Sequence, residues 1–224
     1  MNTINNTSRV LGAAFLLQAV TNLVSNAFLM DPLIVPGNII GTMTNIANNA
    51  MQLRAGIFGD MVTAFGIIFL GAVLFVTLRK LNEKMALVAL GFYILEAVLL
   101  AVSRLVTFSL LRISQESVIA GHPAYLQSLG NMAFDTMHFG FGALAMLAFC
   151  LGAILFYYLL DKSRIVPRVL SLWGLITVVP CLIGTLTQIF GYTIPFIFYL
   201  PYVPFEFVIG VWILIKGIPE TKQQ

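Results

Sequence analysis

Glu96 and Glu206 each interrupt a long apolar run, "LVALGFYILEAVLLAV" and "FYLPYVPFEFVIGVWILIKG". A carboxylate facing hydrocarbon costs several kcal/mol, so such residues turn inward, find a partner, or mark the path of an ion or proton. At about 1.5 Å of helical rise per residue, Glu206 lies about 15 Å in from Lys216 and Glu96 about 18 Å in from Lys84. Gln18 and Asn22, about 14 and 20 Å from Arg9, reach the same level. Two carboxylates at one depth with no cation beside them imply a retained proton or a cation held between them. Glu96, Glu206, Asn22 and Gln18 are therefore the candidate ligand- or ion-binding set.

A second polar level sits further from those anchors. Asp60 and Arg104 come out at about 28 and 30 Å, Gln188 at about 30 Å and His138 at about 34 Å. Arg104 shares a helical face with Glu96, Ser103 and Thr107, and the spacing pairs it with Asp60 as a buried ion pair. Asp135 and His138, at i and i+3, form the only weak metal motif, with Asp60 as a conceivable third ligand for a membrane enzyme. Catalytic zinc usually takes two or three histidines. This chain has two, His122 and His138, and His122 falls in a connection. No metal is assigned on that count. Paired axial histidines for haem fail in the same way, and Ser103 and Ser109 have no histidine at their depth. There is no phosphate loop or dinucleotide fingerprint. No catalytic residue and no cofactor are assigned.

Composition defines the scaffold that holds these groups. Of 224 residues, 59% are hydrophobic and 9% charged, far from the quarter charged of ordinary soluble domains. The expectation is an all-α, polytopic membrane bundle, a single domain over 1–224. Six spans fit, at 10–30, 56–78, 85–111, 132–160, 169–190 and 195–215, each about 20 residues as a hydrocarbon core demands. Lysines and arginines collect on one side of this scheme (Arg9, Arg79, Lys80, Lys84, Lys162, Arg164, Arg168, Lys216 and Lys222), against Arg54 and Arg112 on the other, which places both termini in the cytoplasm. The net charge of +3 is this topological bias, with no basic tract for nucleic acid. Cys150 and Cys181 lie inside spans as small buried thiols.

The sixth span carries Pro201 and Pro204 just before Glu206. Each removes an amide donor and disfavours helix ahead of it, so this span should be kinked or broken there, with Glu206 in the first turn of the helix beyond the break. Broken backbone at membrane depth is tolerated where it lines a cavity or is covered by protein. In the first outer connection, Asn45, Asn49, Gln52, Gly56 and Asp60 fall on one stripe running into the second span. The connection 112–130, with His122 and Pro123, reads as ordinary surface.

"LFVTLRKLNEKMALVALGFYILEAVLLA", "DKSRIVPRVLSLWG" and "PFEFVIGVWILIKG" together resemble the uncharacterised prokaryotic membrane proteins grouped as domain of unknown function 4386. The resemblance runs from about Ala72 onward and picks out Glu96, Ser163, Pro167, Arg168, Glu206, Trp212, Lys216 and Gly217. Ser171 stands where such proteins tend to have glycine. The resemblance implies a compact bundle in a prokaryotic cell membrane and the importance of the two glutamates, but no chemistry. Three functions fit the residues. One is a bundle binding or moving a cation, proton or small polar solute. Another is a noncatalytic bundle binding lipid or a membrane-protein partner. The third is an enzyme at Asp135, His138 and Asp60.

Overall fold

The computed structural model describes residues 6–192 and 194–217. It is helical, with no strand among the described residues. The first crossing begins as α1 (Asn6–Leu23), continues without interruption as a π-helical segment, Val24–Met30, and ends in a 3-10 turn, Asp31–Leu33. A short helix, α2 (Ile39–Asn48), leads into α3 (Ala50–Leu78). Then come α4 (Glu83–Ile119), α5 (Ala124–Asp135), a second π segment, Thr136–Phe141, and α6 (Gly142–Ser163). Last are α7 (Arg168–Ile189), a 3-10 turn, Phe196–Phe198, and α8 (Val203–Lys216).

Local chemistry accounts for many of these ends. Asn38 and Asn82 cap α2 and α4, accepting from Gly41 N at 2.9 Å and Met85 N at 3.0 Å, as short polar side chains do for the unpaired amides of a first turn. Arg164 closes α6 at φ 57, and Pro167 precedes the first residue of α7. Asn49, at φ −117 and ψ 40, breaks the path between α2 and α3. The connection 112–130 is not loop: α4 runs to Ile119 and α5 starts at Ala124, so only 120–123 form the turn. Ser114 and Ser117 are fully buried there, so the polar residues of this stretch mark a packed helix emerging from the apolar zone.

Five helical stretches are long and apolar enough to cross a membrane: Arg9–Leu33, Ala50–Leu78, Glu83–Ile119, Ala124–Ser163 and Arg168–Ile189. The expected sixth span, 195–215, is helical only from Val203. That leaves 14 residues, about 21 Å. Pro201 lies in the turn before α8 and Pro204 in its first turn, where a missing N–H costs least. Large apolar side chains point outward along the spans, with Phe58 71% and Phe65 65% exposed; water would penalise such a surface, and lipid would not.

The long helices follow one another around the bundle: α8 lies along α1, α1 on α3, α3 on α4, α4 on α6 and α6 on α7. Contact between α7 and α8 is slighter. The α1–α8 crossing is backbone on backbone. A Cβ at Gly12 would sit 2.8 Å from Leu214 N and 2.9 Å from Gly210 O, and one at Gly210 would meet the Leu16 side chain at 2.9 Å. Small residues allow this approach where no hydrophobic force drives helices together. The half of the bundle near Arg9, Leu78 and Lys216 is filled with apolar side chains, among them Leu11, Phe15, Leu74, Phe156, Phe205 and Ile213. A smaller apolar cluster around Met30, Ile57 and Leu110 closes the far side of α3 and α4. Between them lies polar space.

Candidate functional site

That space is a cavity of about 660 Å³. One wall is α1 and its π segment, through Gln18, Asn22 and Asn26; the opposite wall is the second π segment, α6 and α7, through His138, Phe149 and Gln188. The start of α8 contributes Glu206, and α4 contributes Glu96. The four residues of the mid-depth set therefore line one volume. The arithmetic of helical rise brought them to a common level because α1, α4 and α8 are regular between each anchor and each polar group.

The two carboxylates differ in their surroundings. Glu206 Oε1 accepts from Gln18 Nε2 at 2.8 Å and from the Tyr202 hydroxyl at 2.8 Å. Tyr202 and Tyr157 share a hydroxyl–hydroxyl hydrogen bond of 2.6 Å, with Tyr157 fully buried. Glu206 thus ends a chain of hydroxyls, and it occupies the first turn of α8, where the dipole favours negative charge. Glu96 Oε2 is shut from solvent and has no hydrogen-bond partner among the described residues. A buried acceptor left unpaired costs on the order of 1 to 3 kcal/mol, a cost that a ligand or a proton can relieve. Asn22 is exposed on the cavity wall, its carbonyl accepting from Asn26 Nδ2 at 3.1 Å.

The break before α8 is closed by α7. Trp173 Nε1 donates to Pro201 O at 3.2 Å, and Cys181 Sγ lies 3.6 Å from Phe198 O. Carbonyls that a continuous helix would have used are met by side chains, as a low-dielectric setting requires. Phe205 packs its ring over Gly174, where any Cβ would collide with it. Together these contacts seat the α8 terminus beside the cavity.

The second polar level is divided: His138 and Gln188 line the cavity, whereas Asp60 and Arg104 lie behind α1. Arg104 Nη1 is 3.0 Å from Asp60 Oδ2, with Asp60 fully buried. This is an ion pair without an aligned N–H, since Oδ2 has no hydrogen bond and the Nη1 donor points at Met30 Sδ, 3.3 Å away. Asn26 Nδ2 reaches Asp60 Oδ1 at 3.3 Å, which joins the pair to the cavity wall. The stripe before the second span packs on the π segment of the first crossing. Gln52 Nε2 donates to Leu29 O at 2.9 Å, Ser25 Oγ donates to Gly56 O, and Asn45 Nδ2 reaches Leu33 O at 3.4 Å. Ser25 consequently faces α3, whereas Asn26 turns to the cavity.

Asp135, His138 and Asp60 are not grouped together. Asp60 is committed to Arg104, His138 lines the cavity, and Asp135 is exposed outside its lining. Among the described residues, no three His, Cys, Asp or Glu side chains are grouped to hold a metal. The i, i+3 spacing assumed an α-helix, but Thr136–Phe141 is π-helical and His138 stacks on Phe134 at 5.7 Å. Sequence spacing missed Tyr202 and Asp31. Tyr202 stands four residues before Glu206, a helical neighbour by position alone. Asp31 joins the cavity because the π segment changes the period between it and Asn26.

A multi-pass bundle of apolar helices with a laterally open acidic cavity marks the chain as an integral membrane protein. The family model described as "Domain of unknown function (DUF4386)" matches residues 10–217, and the chain belongs to that family. No curated protein and no solved structure matches it.

Proposed function

We propose that the protein binds, and allows passage of, a cation, proton or small polar solute in the cavity between α1, α4, α6, α7 and α8. Both termini are then cytoplasmic, and the turn before α8 together with α8 itself makes the sixth crossing. The observation that carries this reading is the pairing of unlike carboxylates on one volume: Glu206 oriented by Gln18 and Tyr202, Glu96 with an unpartnered buried oxygen. Polar groups of this kind at membrane depth, beside a broken helix, are how secondary transporters build ion and substrate sites. Gln18 and Tyr202 also support a second reading, a noncatalytic bundle for lipid or a membrane-protein partner, in which Glu206 is a structural acceptor.

The proline pair separates the two. Pro201→Ala/Pro204→Ala lets α8 extend outward and moves Glu206 from a terminal turn to a helix interior. The positive end of the dipole, which favours the ionised carboxylate and opposes a cation beside it, is withdrawn, a change of about 0.3 to 1 kcal/mol, so cation affinity is altered by roughly two- to fivefold. Trp173, bonded to Pro201 O, reports the change in fluorescence titrations with monovalent cations across pH 5 to 8. Wild-type and variant curves that superimpose end the case for a ligand site at Glu206 and leave the structural reading.

A further inference from the structure

Resting on that reading of the cavity as a solute site, we propose that its ligand is an organic cation with an apolar, ring-sized body. Asp31, Glu96 and Glu206 line the cavity together with His138, and among the described residues no lysine or arginine does. Arg104, the buried cation behind α1, is held by Asp60. Among the described residues, a ligand anion would therefore meet three carboxylates against the single imidazole of His138.

Size and the rest of the lining decide between kinds of cation. A volume of about 660 Å³ is in the range of sites for drug-sized molecules, about 300 to 1,000 Å³. A desolvated metal ion needs six or so oxygens converging at 2 to 2.6 Å. Among the described residues no acidic or histidine cluster of that kind exists. Aromatic rings share this lining: Phe139, Phe149, Phe207 and Tyr199 line the same cavity, with Tyr202 hydrogen-bonded to Glu206. Ring faces attract a poorly hydrated organic cation and gain little from a strongly hydrated inorganic one. Glu206 Oε2 makes no hydrogen bond among the described residues, since Gln18 and Tyr202 both address Oε1. It is thereby left as the counter-charge for the ligand, with the Glu96 carboxylate, whose Oε2 is turned away from solvent, as the second.

The cavity is also reached from the side. Among the described residues α1 packs on α3 and α8, and makes no comparable contact with α6 or α7. The rims of that gap, Leu23 and Phe139, are 40% and 47% exposed. An apolar rim facing lipid suits a ligand that partitions into the bilayer before it binds.

The test compares two ions of one shape and opposite charge, tetraphenylphosphonium and tetraphenylborate, by equilibrium dialysis against purified full-length protein in detergent, with protein-free micelles subtracted. The expected result is saturable binding of the phosphonium alone, weakened at least tenfold in Glu96→Gln/Glu206→Gln. Sodium, potassium and proton titrations of Trp fluorescence form a separate arm. Equal binding of the borate, or phosphonium binding unchanged in a folded double variant, overturns the proposal. So does absence of phosphonium binding alongside Glu206-dependent sodium, potassium or proton responses, an outcome that leaves the broader solute reading standing. Silence in both arms removes both. The wild-type comparison of the two ions stands whether or not the double variant folds.

Discussion

Arg104→Ala lowers unfolding stability by about 3 to 5 kcal/mol, the range for removing one member of a buried ion pair. The cost is chiefly that of Asp60, which is left fully buried beside the neutral side chains of Asn26 and Ser25. Arg104 has no comparable substitute nearby: its other contacts are Ser103 Oγ at 3.1 Å and the Met30 sulfur. Adding Asp60→Asn removes the stranded charge and recovers much of the loss, so the double variant is more stable than Arg104→Ala. Equilibrium unfolding in mixed SDS micelles gives all four corners of the cycle. Strict additivity would show that the 3.0 Å contact contributes nothing as a pair.

Gly12→Leu should be nearly as damaging, by a different route. The new side chain would have to occupy space held by Leu214 N and Gly210 O, both backbone atoms that no rotamer change can move. Overpacking typically costs about 1 to 3 kcal/mol, and here relief means lifting α8 from α1. That separation parts Gln18 from Glu206, two groups 188 residues apart in sequence, so the cavity loses its oriented carboxylate along with stability. Gly91→Ala is the control, since a Cβ there meets nothing within 4 Å; it should be neutral or stabilising by up to about 1 kcal/mol. Unfolding curves that coincide for the two variants would contradict the crossing geometry.

Much of this arrangement was legible in the chain itself. Glu96, Glu206, Gln18 and Asn22 could be brought to one level because lysines and arginines mark the membrane boundary and an α-helix advances uniformly. Pro201 and Pro204 announced the break before α8 through their missing donors. Hydropathy, in contrast, reports where lipid ends and not where a helix ends. The stretch containing Arg112, Gln115 and Glu116 therefore read as loop although α4 continues through it. The aromatic lining was also hidden. Phe139, Phe149 and Phe207 are ordinary residues of apolar spans, and only three-dimensional packing shows that they line the cavity. Least legible were the two π segments, since nothing in "VSNAFLM" or "TMHFGF" changes the apolar pattern enough to reveal an i→i+5 repeat.

Those segments make the bundle sensitive to chain length in a way that side-chain substitution is not. A π turn accommodates an additional residue within an otherwise α-helical path. Deleting one residue from Val24–Met30 would let the segment return to α geometry with its phase kept, whereas restoring α geometry at full length would rotate everything beyond it by about 100° around the helix axis. Gln18, upstream, would keep its place at Glu206, while Asp31 would leave the cavity wall and the partners of Gln52 and Gly56 would be exchanged for others. The first crossing thus has two independently phased halves, one indexed to α8 and the other to α3, with the π segment setting the angular offset between them.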